Sequence, residues 1–183
     1  LTLDMEDDLA VLFSMASPEI DVIGLTITFG NGFQGQTYPD ALKLRDLAGW
    51  DVPVLRGADY WHKDLNVATE SSQFIIDSAL NTPGGVTILA LGAMTNIATA
   101  INMRPDIIPL INRIVMMGGN ISKTNIDVNF AADSAASNLL FNAPIPKVIL
   151  PTETCLQTVF TDSQLQQVEA NPDSVIYQLR GRI

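Results

Sequence analysis

A dense group of acidic residues near the N-terminus could bind a cation. The stretch LTLDMEDDLA places four acids within five positions, namely Asp4, Glu6, Asp7 and Asp8. Carboxylates this close repel one another, and buried ones are costly unless a positive charge compensates them. Because carboxylate oxygens are the ligands that Ca²⁺ and Mg²⁺ prefer, the stretch predicts a site for a hard cation. The alternative is that the acids occupy the first turn of a helix and interact with its dipole.

Further residues that could bind a ligand follow several later apolar runs. Asn31 closes ITFGN, and Gly118 and Gly119 follow RIVMM. Asp127 and Asn129 are two positions apart, so in an extended segment their side chains would face the same way. A glycine pair would let a ligand approach the backbone closely. Each feature also has an ordinary explanation: a turn residue, a tight turn, or a polar loop before a helix.

These candidates must be positioned by elements that alternate along the chain. Short apolar runs predict strands over 1–3, 21–29, 52–55, 86–91, 113–117 and 147–150. Longer amphipathic segments predict helices over 8–16, 40–48, 71–80, 95–102, 133–141 and 162–170, the last after a capping box that begins at Thr161. Several strands are apolar at consecutive positions, as expected for strands covered on both faces.

The alternation of strands and helices favours one α/β domain over residues 1–183, with a mostly parallel sheet flanked by helices and a Rossmann-like core. In such sheets, ligands bind at the carboxyl ends of the strands. We therefore expect the polar residues that follow each strand to meet at one edge of the sheet. Carboxylates, amides and bare glycine backbone there would suit a small, hydroxyl-rich ligand together with a cation.

Composition excludes several classes of function. The net charge of −10, with only 10 Lys and Arg, argues against nucleic acid as a partner. No apolar run approaches the roughly 20 residues that are needed to cross a bilayer, so we expect no membrane association. The one cysteine, Cys155, cannot form an internal disulfide. That fits a reducing compartment, and we expect a cytoplasmic protein.

Taken in order, the motifs resemble those of the inosine-uridine-preferring nucleoside hydrolase family of Ca²⁺-dependent N-ribohydrolases. DMEDDLAVLFSMASPEIDVIGLTITFGN resembles the opening of that family, and VPVLRGAD resembles the strand and turn that follow. GGVTILALGAMTNIATAI is similar to the family segment that contains Gly-Pro-Leu-Thr-Asn. RIVMMGGN and DVNFAADSAAS resemble its Met-Gly-Gly strand end and its later Asp-Pro-Glu-Ala-Ala segment. The likeness covers essentially the whole chain and implies a nucleoside hydrolase-like fold.

The resemblance implies hydrolysis of the N-glycosidic bond of purine or pyrimidine ribonucleosides to ribose and free base by a calcium-activated water. It makes Asp4, Asp8 and the backbone carbonyl of Leu91 the Ca²⁺ ligands, with Asp4 also the base that activates the water. It makes the following residues bind or line the sugar: Asp7, Asn31, Met117, Asp127 and Asn129. Nearby carboxylates would stabilise the oxocarbenium character that develops on the ribose. The resemblance also implies a homo-oligomer.

The chain departs from the family pattern at three places. Asp4 is one residue closer to Asp7 than in the family. The segments after Trp61 and after Gly119 are shorter than the family's loops, and the family's further sugar-binding asparagine could be Asn120 or Asn125. The family continues to a His-Asp-Pro motif whose aspartate completes the calcium site, and His62 does not replace that motif. We therefore expect a domain that is incomplete at its C-terminus relative to the family.

Two alternatives to the nucleoside hydrolase stay open. The first is a catalytically degenerate homologue that binds a nucleoside or a cation without turnover, because the His-Asp-Pro motif is missing. The second is a haloacid dehalogenase-like phosphohydrolase, which also places an aspartate after an N-terminal apolar strand. That class needs a second aspartate where this chain has Glu6, so its fit is poor.

Overall fold

The structure is a computed structural model, and it describes residues 5–61, 63–122, 126–159 and 161–179. The predicted strand over 1–3 lies outside the described residues, as do Asp4, His62 and Asn125. The strands are β1 (Leu25–Ile27), β2 (Val54–Arg56), β3 (Val86–Ala90), β4 (Ile111–Met117) and β5 (Lys147–Leu150). The first helices are α1 (Met5–Ala16), α2 (Gln34–Ala48), α3 (Glu70–Asn81), α4 (Thr95–Met103) and a 3₁₀ helix (Pro105–Leu110). They are followed by α5 (Val128–Ala132), α6 (Ser134–Asn142), α7 (Thr152–Cys155), α8 (Asp162–Glu169) and α9 (Val175–Leu179).

The strands pair in parallel, as predicted. β1 pairs with β2, with Leu25 opposite Val54. β4 lies between β3 and β5, so Val115 is flanked by Leu89 and Val148. In the described residues the pairing therefore forms a two-stranded and a three-stranded parallel sheet. Parallel strands and intervening helices confirm the predicted α/β class.

Two apolar clusters hold the helices against these strands. The larger one joins β3 and β4 to α3, α4 and α6 through side chains such as Ile76, Ile101, Ile114 and Leu140. Burying a side chain of this size stabilises a fold by about 1.5–3 kcal/mol. The smaller one contains Val11 of α1 together with residues of β1, α2 and β2, and Leu91 packs against it. Leu91 directly follows β3, so this second cluster fixes α1 beside the carboxyl end of that strand.

Several element boundaries differ from the predictions. α2 begins at Gln34, six residues before the predicted start, and contains Pro39. A proline interrupts most helices, which is why the sequence favoured a start after it, but here the helix tolerates it within its second turn. The predicted strand over 21–29 is paired only at Leu25–Ile27. α5 was not predicted at all. None of the described helices is long and apolar enough to cross a membrane.

Candidate active site at the carboxyl ends of the strands

Asn129 brings three predicted site residues together. Its amide nitrogen, Nδ2, donates to the main-chain oxygen of Leu91 at 2.9 Å and to that of Met117 at 3.2 Å. The same nitrogen lies 3.3 Å from Met117 Sδ. Leu91 follows β3 and Met117 ends β4, so one side chain from α5 joins two neighbouring strand ends. No hydrogen bond to Oδ1 of Asn129 is formed within the described part of the chain, which leaves that oxygen as an acceptor for a ligand hydroxyl.

Asp127 caps the short helix that carries Asn129. One of its carboxylate oxygens, Oδ2, accepts from the backbone N–H of Phe130 at 2.7 Å, and Asp127 is the N-cap residue of α5. The cap turns the chain into a helix at Val128, so Asp127 and Asn129 are not related by an extended backbone. Asp127 still lines an open groove of about 590 Å³ with Asn120 and Gly119.

Three of the four acids, Glu6, Asp7 and Asp8, lie in the first turn of α1, as the helix-dipole explanation predicted. Glu6 is exposed, Asp7 is half-buried, and Asp8 is completely buried, with 0% of its surface exposed. Interaction with the helix dipole does not require burial, so that effect alone does not account for Asp8. Asp8 lies three residues before Val11 and therefore on the same face of α1. Val11 belongs to the cluster against which Leu91 packs, so the buried carboxylate is on the face of α1 that packs into this cluster.

The donor chemistry of these residues fits a hard cation. A buried carboxylate and a main-chain carbonyl are both oxygen ligands of the kind that Ca²⁺ takes. The Leu91 carbonyl uses one lone pair for Asn129 and has a second one. The described ranges contain no group of three or more His, Cys, Asp or Glu side chains that could hold a metal ion. The predicted ligand Asp4 lies outside those ranges.

Asn96, which sequence reasoning did not single out, ties the other strand ends together. It lies in the first turn of α4 and is only 3% exposed. Its Nδ2 donates to the main-chain oxygen of Ile27 at 3.0 Å, and its Oδ1 accepts from the backbone N–H of Ala58 at 2.7 Å. One buried amide therefore satisfies a main-chain group at the end of β1 and another just past β2.

A second buried polar pair fixes α6 against α4. Thr95 Oγ1 donates to Asp133 Oδ2 at 2.8 Å, and both residues are buried. The other carboxylate oxygen of Asp133 accepts from the backbone N–H of Ala136 at 3.0 Å. Asp133 is therefore the N-cap residue of α6. Because α5 precedes this cap directly, the pair also holds the segment that carries Asn129.

The loop after β4 is anchored by Glu153 of α7. Its carboxylate accepts from the backbone N–H of Ser122 at 2.7 Å and of Ile121 at 3.2 Å. These hydrogen bonds, that to Ser122 foremost, lower the pKa of Glu153 from 4.5 to about 2. Close to this loop, burial and then the charge of Glu6 raise the pKa of the Cys155 thiol. The hydrogen bonds to Glu153 therefore hold the loop after β4 against α7.

The glycine pair after β4 makes room for an aromatic ring. A Cβ on Gly118 would lie 2.5 Å from Cε1 of Phe130, and one on Gly119 would lie 3.2 Å from Cε2 of the same ring. Gly119 also has a φ of +84°, which favours glycine. Within the described chain the glycine pair therefore accommodates the Phe130 ring, and the close approach of a ligand stays a prediction.

The two remaining asparagines lie at the rim of the site. Asn31 is exposed in the loop after β1. Asn120 is half-buried, and its Oδ1 accepts from Ser122 Oγ at 2.8 Å. Lys63, which the sequence analysis did not name, joins the two sides of the site: its Nζ donates to Ala132 O at 3.0 Å and lies 4.9 Å from the centre of the Tyr60 ring.

The chain is similar to known nucleoside-cleaving proteins. A family model described as inosine-uridine preferring nucleoside hydrolase matches residues 3–180. The pyrimidine-specific ribonucleoside hydrolase RihB of Escherichia coli is 28% identical over 192 residues, which cover 90% of this chain and 61% of the relative. The chain thus spans about three fifths of the length of the curated relatives that it matches.

Solved structures show the same fold. A purine-preferring ribonucleoside hydrolase from Gardnerella vaginalis matches with a TM-score of 0.85 at 26% identity, over 100% of this chain and 69% of that one. A plant nucleoside hydrolase matches with a TM-score of 0.86 at 22% identity, over 100% of this chain and 68% of that one. At the second identity the likeness shows the fold alone.

Proposed function

The chain belongs to the inosine-uridine preferring nucleoside hydrolase family, and from this premise we propose that the protein hydrolyses the N-glycosidic bond of ribonucleosides, releasing ribose and the free base. The observation that supports this proposal best is the contact of Asn129 with the carbonyls of Leu91 and Met117. It gathers a proposed cation ligand and two proposed sugar-binding residues at adjacent strand ends. One matched relative is described as pyrimidine-specific and another as purine-preferring, so the substrate class proposed here is ribonucleosides of either kind.

We propose that the sugar is held by a set of residues around that contact. The oxygen acceptor of Asn129 would receive a hydrogen bond from a ribose hydroxyl, because its nitrogen is already engaged by two carbonyls. Asp7 and Asn31 would bind further hydroxyls, and Asp127 would use the carboxylate oxygen that does not cap α5. The Met117 side chain would line the sugar. Binding energy from the hydroxyls would position the glycosidic bond for cleavage.

The family is generally metal-dependent, and we propose Ca²⁺ as the ion for this protein. Asp8, Asp4 and the carbonyl of Leu91 would hold it. When bound, the ion supplies positive charge that orients a water molecule and lowers its pKa. Asp4 would accept a proton from the attacking water. The carboxylates of the site would stabilise the positive charge that develops on the ribose ring.

Two acids in the same helical turn give a matched test of this proposal. Asp8→Asn keeps the size of the buried side chain but removes its charge, and we expect it to reduce ribose release from inosine and uridine about 100-fold or more. Glu6→Gln makes the same chemical change at an exposed position, and we expect it to leave ribose release within about twofold of the wild-type rate. Equal activity of Asp8→Asn and the wild type would refute the proposed role of Asp8. A wild-type protein that binds inosine without releasing ribose would be a binding homologue.

Three expectations from the sequence stay predictions. These are the single domain over residues 1–183, the homo-oligomer and the cytoplasmic location. Light scattering coupled to size-exclusion chromatography measures the oligomeric state. The intact mass of the natural protein tests the expectation of a missing C-terminal part, because a mass well above 19.8 kDa would show residues beyond these 183. Those residues could then supply the aspartate that the family places in its His-Asp-Pro motif.

A further inference from the structure

Thr28 has a buried hydroxyl that the described part of the folded chain leaves without a partner. Its Oγ1 is out of contact with solvent and forms no hydrogen bond with any residue that the structure describes. Buried polar atoms are paired in the great majority of cases, and an unpaired one destabilises the protein. The unpaired hydroxyl therefore lowers the stability of the folded protein, and its presence needs an explanation.

Three other buried hydroxyls of the described chain are paired. Thr95 Oγ1 donates to Asp133 Oδ2 at 2.8 Å, Ser71 Oγ donates to the main-chain oxygen of Leu55 at 2.9 Å, and Ser137 Oγ donates to that of Phe130 at 3.0 Å. These bonds join neighbouring elements, as expected for structural hydroxyls. Thr28 differs from all three. Departures of this kind from local satisfaction are expected at functional sites.

The position of Thr28 places it beside the candidate active site. It directly follows β1 and precedes Asn31 by three residues. A Cβ on Gly92 would lie 2.9 Å from the Thr28 methyl group, so the Thr28 side chain packs against Gly92. Gly92 is the neighbour of Leu91, whose carbonyl is held by Asn129. Thr28 therefore lies between the ends of β1 and β3, next to the proposed cation ligand Leu91.

We propose that Thr28 is a further sugar-binding residue, whose hydroxyl donates a hydrogen bond to a ribose oxygen when a nucleoside is bound. The inference rests on the proposed function. It explains why threonine is present where valine, which has nearly the same shape, would fill the space without an unpaired polar atom. It also assigns a donor to a site whose other sugar-binding groups include the acceptor oxygens of Asn129 and Asp7.

Thr28→Val, compared with Thr28→Ser, tests the inference by binding as well as by activity. Without ligand, we expect Thr28→Val to melt about 2 °C or more above the wild type, because the unpaired hydroxyl is gone. With ribose and Ca²⁺ present, we expect it to bind ribose about three- to tenfold more weakly, with a matching rise in KM for inosine. Thr28→Ser keeps the hydroxyl and should bind ribose like the wild type.

Two controls separate this role from a purely structural one. Thr95→Val removes a buried hydroxyl that is paired, so we expect a lower melting temperature, the opposite of Thr28→Val. Thr26→Val makes the same change two residues earlier on the same side of β1 and should leave ribose binding unchanged. Ca²⁺ alone should bind Thr28→Val as tightly as it binds the wild type.

Each contrary result has a defined meaning. Unchanged ribose binding in Thr28→Val would overturn the inference while the proposed function stands, provided that the wild type releases ribose. Weaker binding of Ca²⁺ alone, or a melting temperature that falls as in Thr95→Val, would also overturn it. If the wild type binds ribose without cleaving nucleosides, the proposed function fails and the comparison of ribose affinities still decides the role of Thr28. A wild type that neither binds ribose nor cleaves nucleosides would overturn both.

Discussion

Replacing Asn96 with alanine should destabilise the protein more than any surface substitution on the same helix, because Asn96 connects the ends of β1 and β2. The Asn96 side chain is buried and makes two hydrogen bonds, one to the Ile27 carbonyl and one from the Ala58 N–H. Alanine removes both partners at once. A main-chain donor and a main-chain acceptor would then remain buried without a hydrogen bond.

The expected loss of stability follows from that count. Leaving one buried polar group unpaired costs about 1–3 kcal/mol, so two such groups cost about 4 kcal/mol at the middle of that range. Relaxation of the site lowers the expected loss of stability to about 3 kcal/mol. For a chain of this size, 1 kcal/mol corresponds to about 2–4 °C, so the melting temperature should fall by about 6–12 °C. Asn96→Ala should also reduce nucleoside binding. The ends of β1 and β2 would be held less firmly, and the loop that carries Asn31 directly follows β1.

Asn102 provides a matched control within α4. It is exposed, and its Nδ2 donates to the Leu65 carbonyl at 3.1 Å and lies 3.2 Å from Asn66 Oδ1. Water can replace these partners, so Asn102→Ala should cost less than about 1 kcal/mol. Urea denaturation of both variants, with the slope of the transition compared as well as its midpoint, measures the difference. Equal losses of unfolding free energy in Asn96→Ala and Asn102→Ala would refute the claim that the hydrogen bonds of Asn96 stabilise the strand ends.

The remaining predictions concern the loop after β4 and the sugar site. Gly118→Ala should cost about 1–3 kcal/mol in urea denaturation, because its Cβ would lie 2.5 Å from the Phe130 ring; a loss below 0.5 kcal/mol would contradict that packing. The pKa of Glu153 is lowered from 4.5 to about 2, so its stabilising effect is complete above pH 4.5 and is lost as the pH falls towards 2. The difference in melting temperature between the wild type and Glu153→Gln should therefore shrink over that interval, and a constant difference would count against the assignment. Asn129→Ala should raise KM for inosine at least about fivefold in steady-state kinetics, and an unchanged KM would exclude Asn129 from the sugar site.

The α/β class could be predicted because the strands are recognisable in the sequence as runs of consecutive apolar residues. In β4, for example, the run RIVMM packs Ile114 and Met116 into the main cluster. Element boundaries were less predictable where tertiary contacts override local signals. α2 accepts Pro39, and α5 forms because Asp127 caps it. Neither effect is visible in the pattern of apolar residues.

The candidate site was predicted in part, and mostly through the resemblance. Leu91, Met117 and Asn129 were named from the sequence, and Asn129 donates to the main-chain oxygens of the other two. Asn96 and Glu153 were missed because their partners are main-chain groups distant in sequence, which residue spacing does not reveal. A signal for Asn96 existed, since the segment LGAMTN, which follows the apolar strand run VTILA, ends in a polar amide. Thr28 could not be found from sequence at all, because only the absence of a partner in the folded chain marks it.

The central claim is a calcium-dependent cleavage of nucleosides, and ribose release by the wild-type protein tests it most directly. The natural protein, incubated with inosine and separately with uridine, is assayed for reducing sugar with added Ca²⁺, after chelation with EDTA, and after Ca²⁺ is restored. The account predicts ribose release that is lost on chelation and recovered when Ca²⁺ returns. Ribose release that persists undiminished after complete chelation would contradict the proposed role of calcium, and no release from either nucleoside under any condition would contradict the proposed function itself.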